Sequence, residues 1–336
     1  MEASLDLKLE KSKKTLIFKS ISSALGLFIA FIVFFTFIMT AIFDFSVRDS
    51  ILNGIPLGII SSSVAIPSSA LLPASDKEFI VYESSFSDIF GIILFDFILL
   101  NNGSIGLEIL HFGLTTLLTL IIAIITSSVL ALLLHKITYH VNYVIIMTSV
   151  VMIYILAKLS HLPALLLILV FGMVLSNNQF LEFTPVNRIF NFGKFRNDLE
   201  SFKKILVELT FVVRSFFFIM FGYYTRLDSL LDWHNLVAGV VITAGILVMR
   251  IIYLKLLLKM PAVPLLFFSP RGLITILLFL SIPMVSRIPV ISEEVITIVI
   301  LLTILIMMIG NIFYKKGHPA NETGLRRDQP AFPVNV

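Results

Sequence analysis

Residues Ile51–Leu72 read ILNGIPLGIISSSVAIPSSALL, long and apolar enough to cross a bilayer yet broken up along its whole length. A membrane helix needs about 20 mostly apolar residues. This one carries Gly54, Pro56, Gly58, the run Ser61, Ser62 and Ser63, then Pro67. Proline removes a backbone donor and pushes the residue before it out of the helical region, so the span is expected to unwind partway. A second stretch behaves alike: residues 262–286 contain Pro264, then Ser269-Pro270-Arg271-Gly272, then Pro283. Backbone groups freed inside a membrane must be covered by protein or line a cavity. Taken singly, either stretch reads equally well as an ordinary kinked helix. Together they fall second in two groups of three spans, which is the pattern of a secondary transporter built from inverted repeats.

The rest of the chain supports a membrane setting. Of 336 residues, 58% are hydrophobic and 14% charged, with mean hydropathy +1.01; soluble domains carry about 25% charged residues. Apolar runs give about ten spans: 15–43, 51–72, 78–100, 108–134, 141–157, 162–176, 205–225, 236–258, 262–286 and 292–313. Positive charge divides unevenly between the two sides. One side holds Lys8, Lys11, Lys13, Lys14, Lys77, Lys136, Lys194, Arg196, Lys203, Lys204 and Lys259, among others; the other holds Arg48, Lys158, Arg226 and Arg287. By the positive-inside rule both termini are expected in the cytoplasm. The predicted domains are a cytoplasmic segment 1–14, a transmembrane domain 15–314 with core repeats 15–100 and 236–313, and a disordered cytoplasmic tail 315–336. Residues 177–204 read as a cytoplasmic linker between the halves. There is no cysteine, hence no disulfide framework or thiolate metal site. The net charge of +4 collects in particular loops, which argues against a nucleic-acid partner. Neither a cofactor motif nor His-Glu-x-x-His or another nucleophile motif points to an enzyme.

Within the apolar run Phe79–Leu100 sits Asp88. An acidic residue at mid-membrane costs roughly 2.5–3.5 kcal/mol or more, so its default reading is functional. A nearby cation favours a carboxylate's charged form and desolvation its neutral form, so an ion and a proton would compete for it. A structural aspartate paired with a neighbouring helix is the alternative. Ser61, Ser62 and Ser63 offer hydroxyl and unwound carbonyl oxygens of the kind hard cations prefer, although small polar residues also serve close helix packing. Glu83 lies five residues before Asp88, about 140° round an ideal helix, and so faces different neighbours. Arg271 anchors the second break or shapes its electrostatics. For Arg214 a family role and plain snorkelling are equally open.

The segments Gly58–Pro67 and Glu83-Ser-Ser-Phe-Ser-Asp88, with Phe211–Gly222 and Ser269-Pro-Arg-Gly272, resemble in order and spacing the monovalent cation:proton antiporter superfamily. The resemblance implies an all-α polytopic membrane protein, an inverted-repeat antiporter fold whose two broken helices cross near the midplane. It implies a secondary active transporter exchanging Na⁺, K⁺ or Li⁺ for protons by alternating access, with a bacterial inner membrane as its setting and room for a homodimer. Asp88 would be the ion and proton carboxylate, with Ser61, Ser62, Ser63 and Ser87 around it. Pro67, Pro270, Arg271 and Gly272 would form the broken-helix motif. Glu83 would pair with Arg250, the alternative being that Arg250 snorkels beside Lys255 and Lys259. Two departures matter: Ser87 stands where the family has Asn or a first Asp, and the usual Thr-Asp-Pro aspartate is replaced by the Ser61–Ser63 region. The chain also begins about three helices later than is usual. A potassium-efflux-type protein and an inactive truncated remnant are the remaining readings.

Overall fold

The computed structural model describes residues 13–100, 113–114, 117–119, 121–126, 142–159, 164–176, 192–225 and 227–317; these are helical or connecting, with no strand among them. Most of the expected span 108–134, the segment 1–12 and the tail 318–336 lie outside the described residues.

Helix α1 (Lys14–Phe43) buries Ser20, Ser23, Ala24, Phe28, Phe31, Ile32, Phe35 and Met39, a stripe recurring every three or four residues. Its other faces expose Phe18, Val33 and Phe37, as a lipid-facing surface requires. Asp44, in the left-handed conformation (φ 56°), ends it and returns its N–H to Met39. Ser46 then caps α2 (Val47–Gly58) by accepting from the Asp49 N–H at 3.0 Å. From Leu52 to Ser62 every residue is buried. The first interrupted span is therefore the centre of the packing, and the other helices are laid around it.

The chain leaves helical geometry at Ile59 (ψ 133°) and Ser61 (ψ 109°), then resumes as α3 (Ser62–Ser68). Helix α4 (Ala74–Leu100) runs back beside α1, α2 and α3. Helices α5 (Asn142–Leu159) and α6 (Ala164–Ser176) follow, α6 against α4. Next comes α7 (Phe192–Tyr224), at 33 residues about 50 Å long. From residue 192 the segment expected as a linker is helical, continuous with the apolar span that follows. Its Lys, Arg and Glu residues are good helix formers, and they continue the apolar span in one register.

After a single turn, α8 (Leu227–Leu230), α9 (Trp233–Ile252) continues through a π-helical segment, Tyr253–Leu257. The second interrupted span has a 3₁₀ turn at Leu265–Phe267, a non-helical stretch, and α10 (Leu273–Ser281). Helix α11 (Glu293–Gly317) packs along α9. The two groups, α1–α4 and α9–α11, meet through α1 on α9 and α2 on α10. One cluster of buried side chains spans both, including Phe28, Phe31, Leu52, Ile55, Ile246, Ile276 and Val299. Phe217 and Phe218 of α7 pack against it, while Phe216 faces outward.

Midway along α2, Asn53 is wholly buried. Its amide donates to the carbonyls of Asp49 (2.8 Å) and Ser286 (2.7 Å) and accepts from the Ile288 N–H (3.3 Å). One side chain thus ties the first interrupted span to the loop beyond the second.

Candidate functional site

The two interruptions touch. The Ser61 N–H donates to the Pro270 carbonyl at 2.9 Å, and the Ile60 N–H donates to Ser87 Oγ at 2.9 Å. Backbone donors released by unwinding are thereby taken up by the opposite break and by α4, as a low-dielectric setting demands. Gly272 allows the approach: a Cβ there would meet Ser61 Oγ at 2.7 Å and Val64 Cγ2 at 3.0 Å. Pro270 contributes its carbonyl as the acceptor, and the Arg271 N–H donates to Thr303 Oγ1 of α11 at 3.1 Å.

Arg271 is 3% exposed and carries its charge to the end of α2. Its Nε donates to the Leu57 carbonyl at 2.7 Å and Nη2 to Gly58 at 3.4 Å, while Nη1 donates to Ser269 at 2.7 Å. The last carbonyls of a helix have no partner within it and carry partial negative charge. A guanidinium satisfies both needs. Arg214 answers a similar vacancy. Pro67 has no N–H to give the Ser63 carbonyl four residues earlier, and Arg214 Nη1 reaches that oxygen from α7 at 2.6 Å.

Asp88 is 5% exposed and lies beside the start of α3. Its Oδ2 accepts from Ser62 Oγ. Its Oδ1 is buried with no hydrogen-bond partner among the described residues. Ser61 and Ser63 instead face each other, Oγ to Oγ at 3.0 Å, and Ser87 is turned to the backbone of Ile60. Of the residues expected around the ion, only Ser62 therefore bonds the carboxylate.

Glu83 lies on another face of α4. It forms a bidentate pair with Arg250, Oε1 to Nη1 at 3.0 Å and Oε2 to Nη2 at 2.7 Å, and both residues are 1% exposed or less. Arg250 also donates to the carbonyls of Leu265 (2.8 Å) and Phe268 (3.2 Å), both in the second interrupted span. Ser23 of α1 donates to Glu83 at 2.5 Å. A buried charge is tolerable only when paired and hydrogen-bonded, and this group meets that condition through three separate helices. Sequence reasoning missed Ser23 and Thr303. A cue existed for the first, since Ser20 and Ser23 sit on the apolar stripe of α1; none marked Thr303.

A buried, half-engaged carboxylate at the junction of two interrupted membrane helices is the arrangement of an ion-coupled membrane transporter. The family model described as sodium/hydrogen exchanger, transmembrane, matches residues 3–314. The chain belongs to that family, whose members are cation:proton exchangers and not enzymes, and it is an integral, multi-pass membrane protein. Its fold is similar to that of the sodium proton antiporter MjNhaP1 from Methanocaldococcus jannaschii at pH 8. The TM-score is 0.65 at 13% identity, over 94% of this chain and 80% of that one. No curated protein matches the chain.

Proposed function

We propose that the chain exchanges Na⁺, K⁺ or Li⁺ for protons by alternating access, the two competing for Asp88. The observation that carries this reading is the state of that carboxylate: buried, one oxygen bound by Ser62, the other without a partner. A bare charge there cannot cross the low-dielectric interior cheaply, whereas a carboxylate holding a cation or a proton can. Exchange without leak follows, because only loaded forms change sides. No arginine hydrogen-bonds that oxygen: Arg250 is committed to Glu83, Arg271 donates to the Leu57, Gly58 and Ser269 carbonyls, and Arg214 reaches the Ser63 carbonyl. In this reading the core repeats 15–100 and 236–313 shift together against the remaining spans, and both termini lie in the cytoplasm.

The test is dequenching of a pH dye in everted vesicles, with Na⁺, K⁺ and Li⁺ added separately. Cation-driven proton movement that disappears in Asp88→Asn supports the proposal. Equal movement in the variant, or none from a correctly inserted parent, defeats it.

A further inference from the structure

Some hydroxyls on the helices of this protein bond back to the carbonyl one turn earlier, among them the buried Ser20 and Ser84 and the half-buried Thr40. Ser20 Oγ donates to Leu16 (2.9 Å), Ser84 Oγ to Ile80 (2.7 Å) and Thr40 Oγ1 to Thr36 (2.8 Å). Ser85 does not. It is 2% exposed, and its Oγ has no hydrogen-bond partner among the described residues. A buried hydroxyl left so carries a desolvation cost with nothing to offset it.

Ser85 lies three residues before Asp88 on α4. At 100° per residue the two point within about 60° of each other, one turn apart on the same face. Their Cβ atoms are then about 5–6 Å apart. Asp88 Oδ1 is the other unpartnered buried oxygen on this helix. Thr36, Ser50 and Thr243 also have unpartnered buried hydroxyls, but on α1, α2 and α9. Two unpartnered oxygens, a carboxylate's and a hydroxyl's, thus lie one turn apart on the same side of α4.

We propose that Ser85 Oγ is a further ligand of the transported cation, bridged to Asp88 Oδ1 by the ion itself and helping to set the preference among monovalent cations. This rests on the exchange reading above. A small cation gains more from a close dipole than a large one does, so Ser85 favours Li⁺ and Na⁺ over K⁺. The sequence did not single it out, because it stands with Ser84 and Ser87 in one short run, and only the structure shows that Ser84 bonds back to Ile80 and Ser87 to the unwound backbone at Ile60.

The experiment compares the full-length parent with Ser85→Ala, Ser85→Thr and the control Ser20→Ala in everted vesicles, titrating Li⁺, Na⁺ and K⁺. Melting of each purified chain is followed with and without cation. In Ser85→Ala the half-saturating Na⁺ and Li⁺ concentrations should rise about tenfold, the cost of one ligand to a charged group, and K⁺ less. Its melting temperature without cation should not fall, since no hydrogen bond is lost, and its stabilisation by Na⁺ should shrink. Ser85→Thr should restore both. Half-saturation within twofold of the parent for all three cations, or a fall in cation-free melting that Ser85→Thr repairs without any change in half-saturation, overturns the ligand role. A parent with neither exchange nor cation-dependent stabilisation overturns the exchange reading itself, and this inference with it.

Discussion

Replacing Arg250 by methionine would leave Glu83 as an uncompensated charge in the interior. It would also strip the Leu265 and Phe268 carbonyls of their side-chain donor. Removing one partner of a buried ion pair costs about 3–5 kcal/mol, and two under-satisfied carbonyls add to that, so Arg250→Met should sit near the top of the range. At roughly 2–4 °C per kcal/mol, the melting temperature should fall by about 10–20 °C. The companion Glu83→Gln keeps an acceptor for Ser23 but leaves Arg250 unbalanced, and should cost nearly as much. In the double variant neither group is charged. It should therefore be more stable than the sum of the singles by about 2 kcal/mol or more. Size-exclusion chromatography of detergent-purified protein after stepwise heating reads all four species. If Arg250→Met melts within about 2 °C of the parent, or the double variant is merely additive, the pair does not carry the energy assigned to it.

Gly272→Ala should force the two interruptions apart through Ser61 and Val64. Overpacking of this kind costs about 1–3 kcal/mol, and exchange should fall at least as sharply as stability; a variant with parental transport would show the contact is dispensable. Asn53→Leu removes three hydrogen bonds to backbone groups. It should destabilise by about 2–4 kcal/mol, read in the same heating assay. If cation and proton compete for Asp88, a cation binds only its ionised form. Below the pH at which the site is half-protonated, the half-saturating cation concentration should therefore rise about tenfold per unit of falling pH. Titrations at several pH values in vesicles would reveal this, and a constant half-saturation would contradict competition.

Much of this was legible from proline and charge. Pro56, Pro67, Pro264 and Pro270 marked the two spans that are interrupted, although Pro56 and Pro67 themselves sit within α2 and α3 and the first break falls between them, at Ile59–Ser61. Glu83, Asp88 and Arg250 stood out because ionised groups in apolar spans demand a reason. What stayed hidden depended on how far the chain unwinds, which no residue type specifies. The run Ser61–Ser63 offered three hydroxyls alike in sequence, yet Ser62 alone bonds Asp88. Arg271 gave no hint that it would reach back to Leu57 and Gly58, across more than two hundred residues. Arg214 looked like either of two things until its contact with the Ser63 carbonyl was seen. The helical start at Phe192 was masked by its charges, which resemble those of a loop when the register is not followed downstream.

The exposed carbonyls at the end of a half-helix are a natural trap for a metal ion, and a carrier that gripped its cargo there would be slow to let go. Here Arg271 already occupies the oxygens of Leu57 and Gly58. On the proposed reading, a transported cation would then depend on side-chain oxygens such as Asp88 Oδ1 rather than on those helix-end carbonyls. If that reading holds, the site would favour release over tight holding.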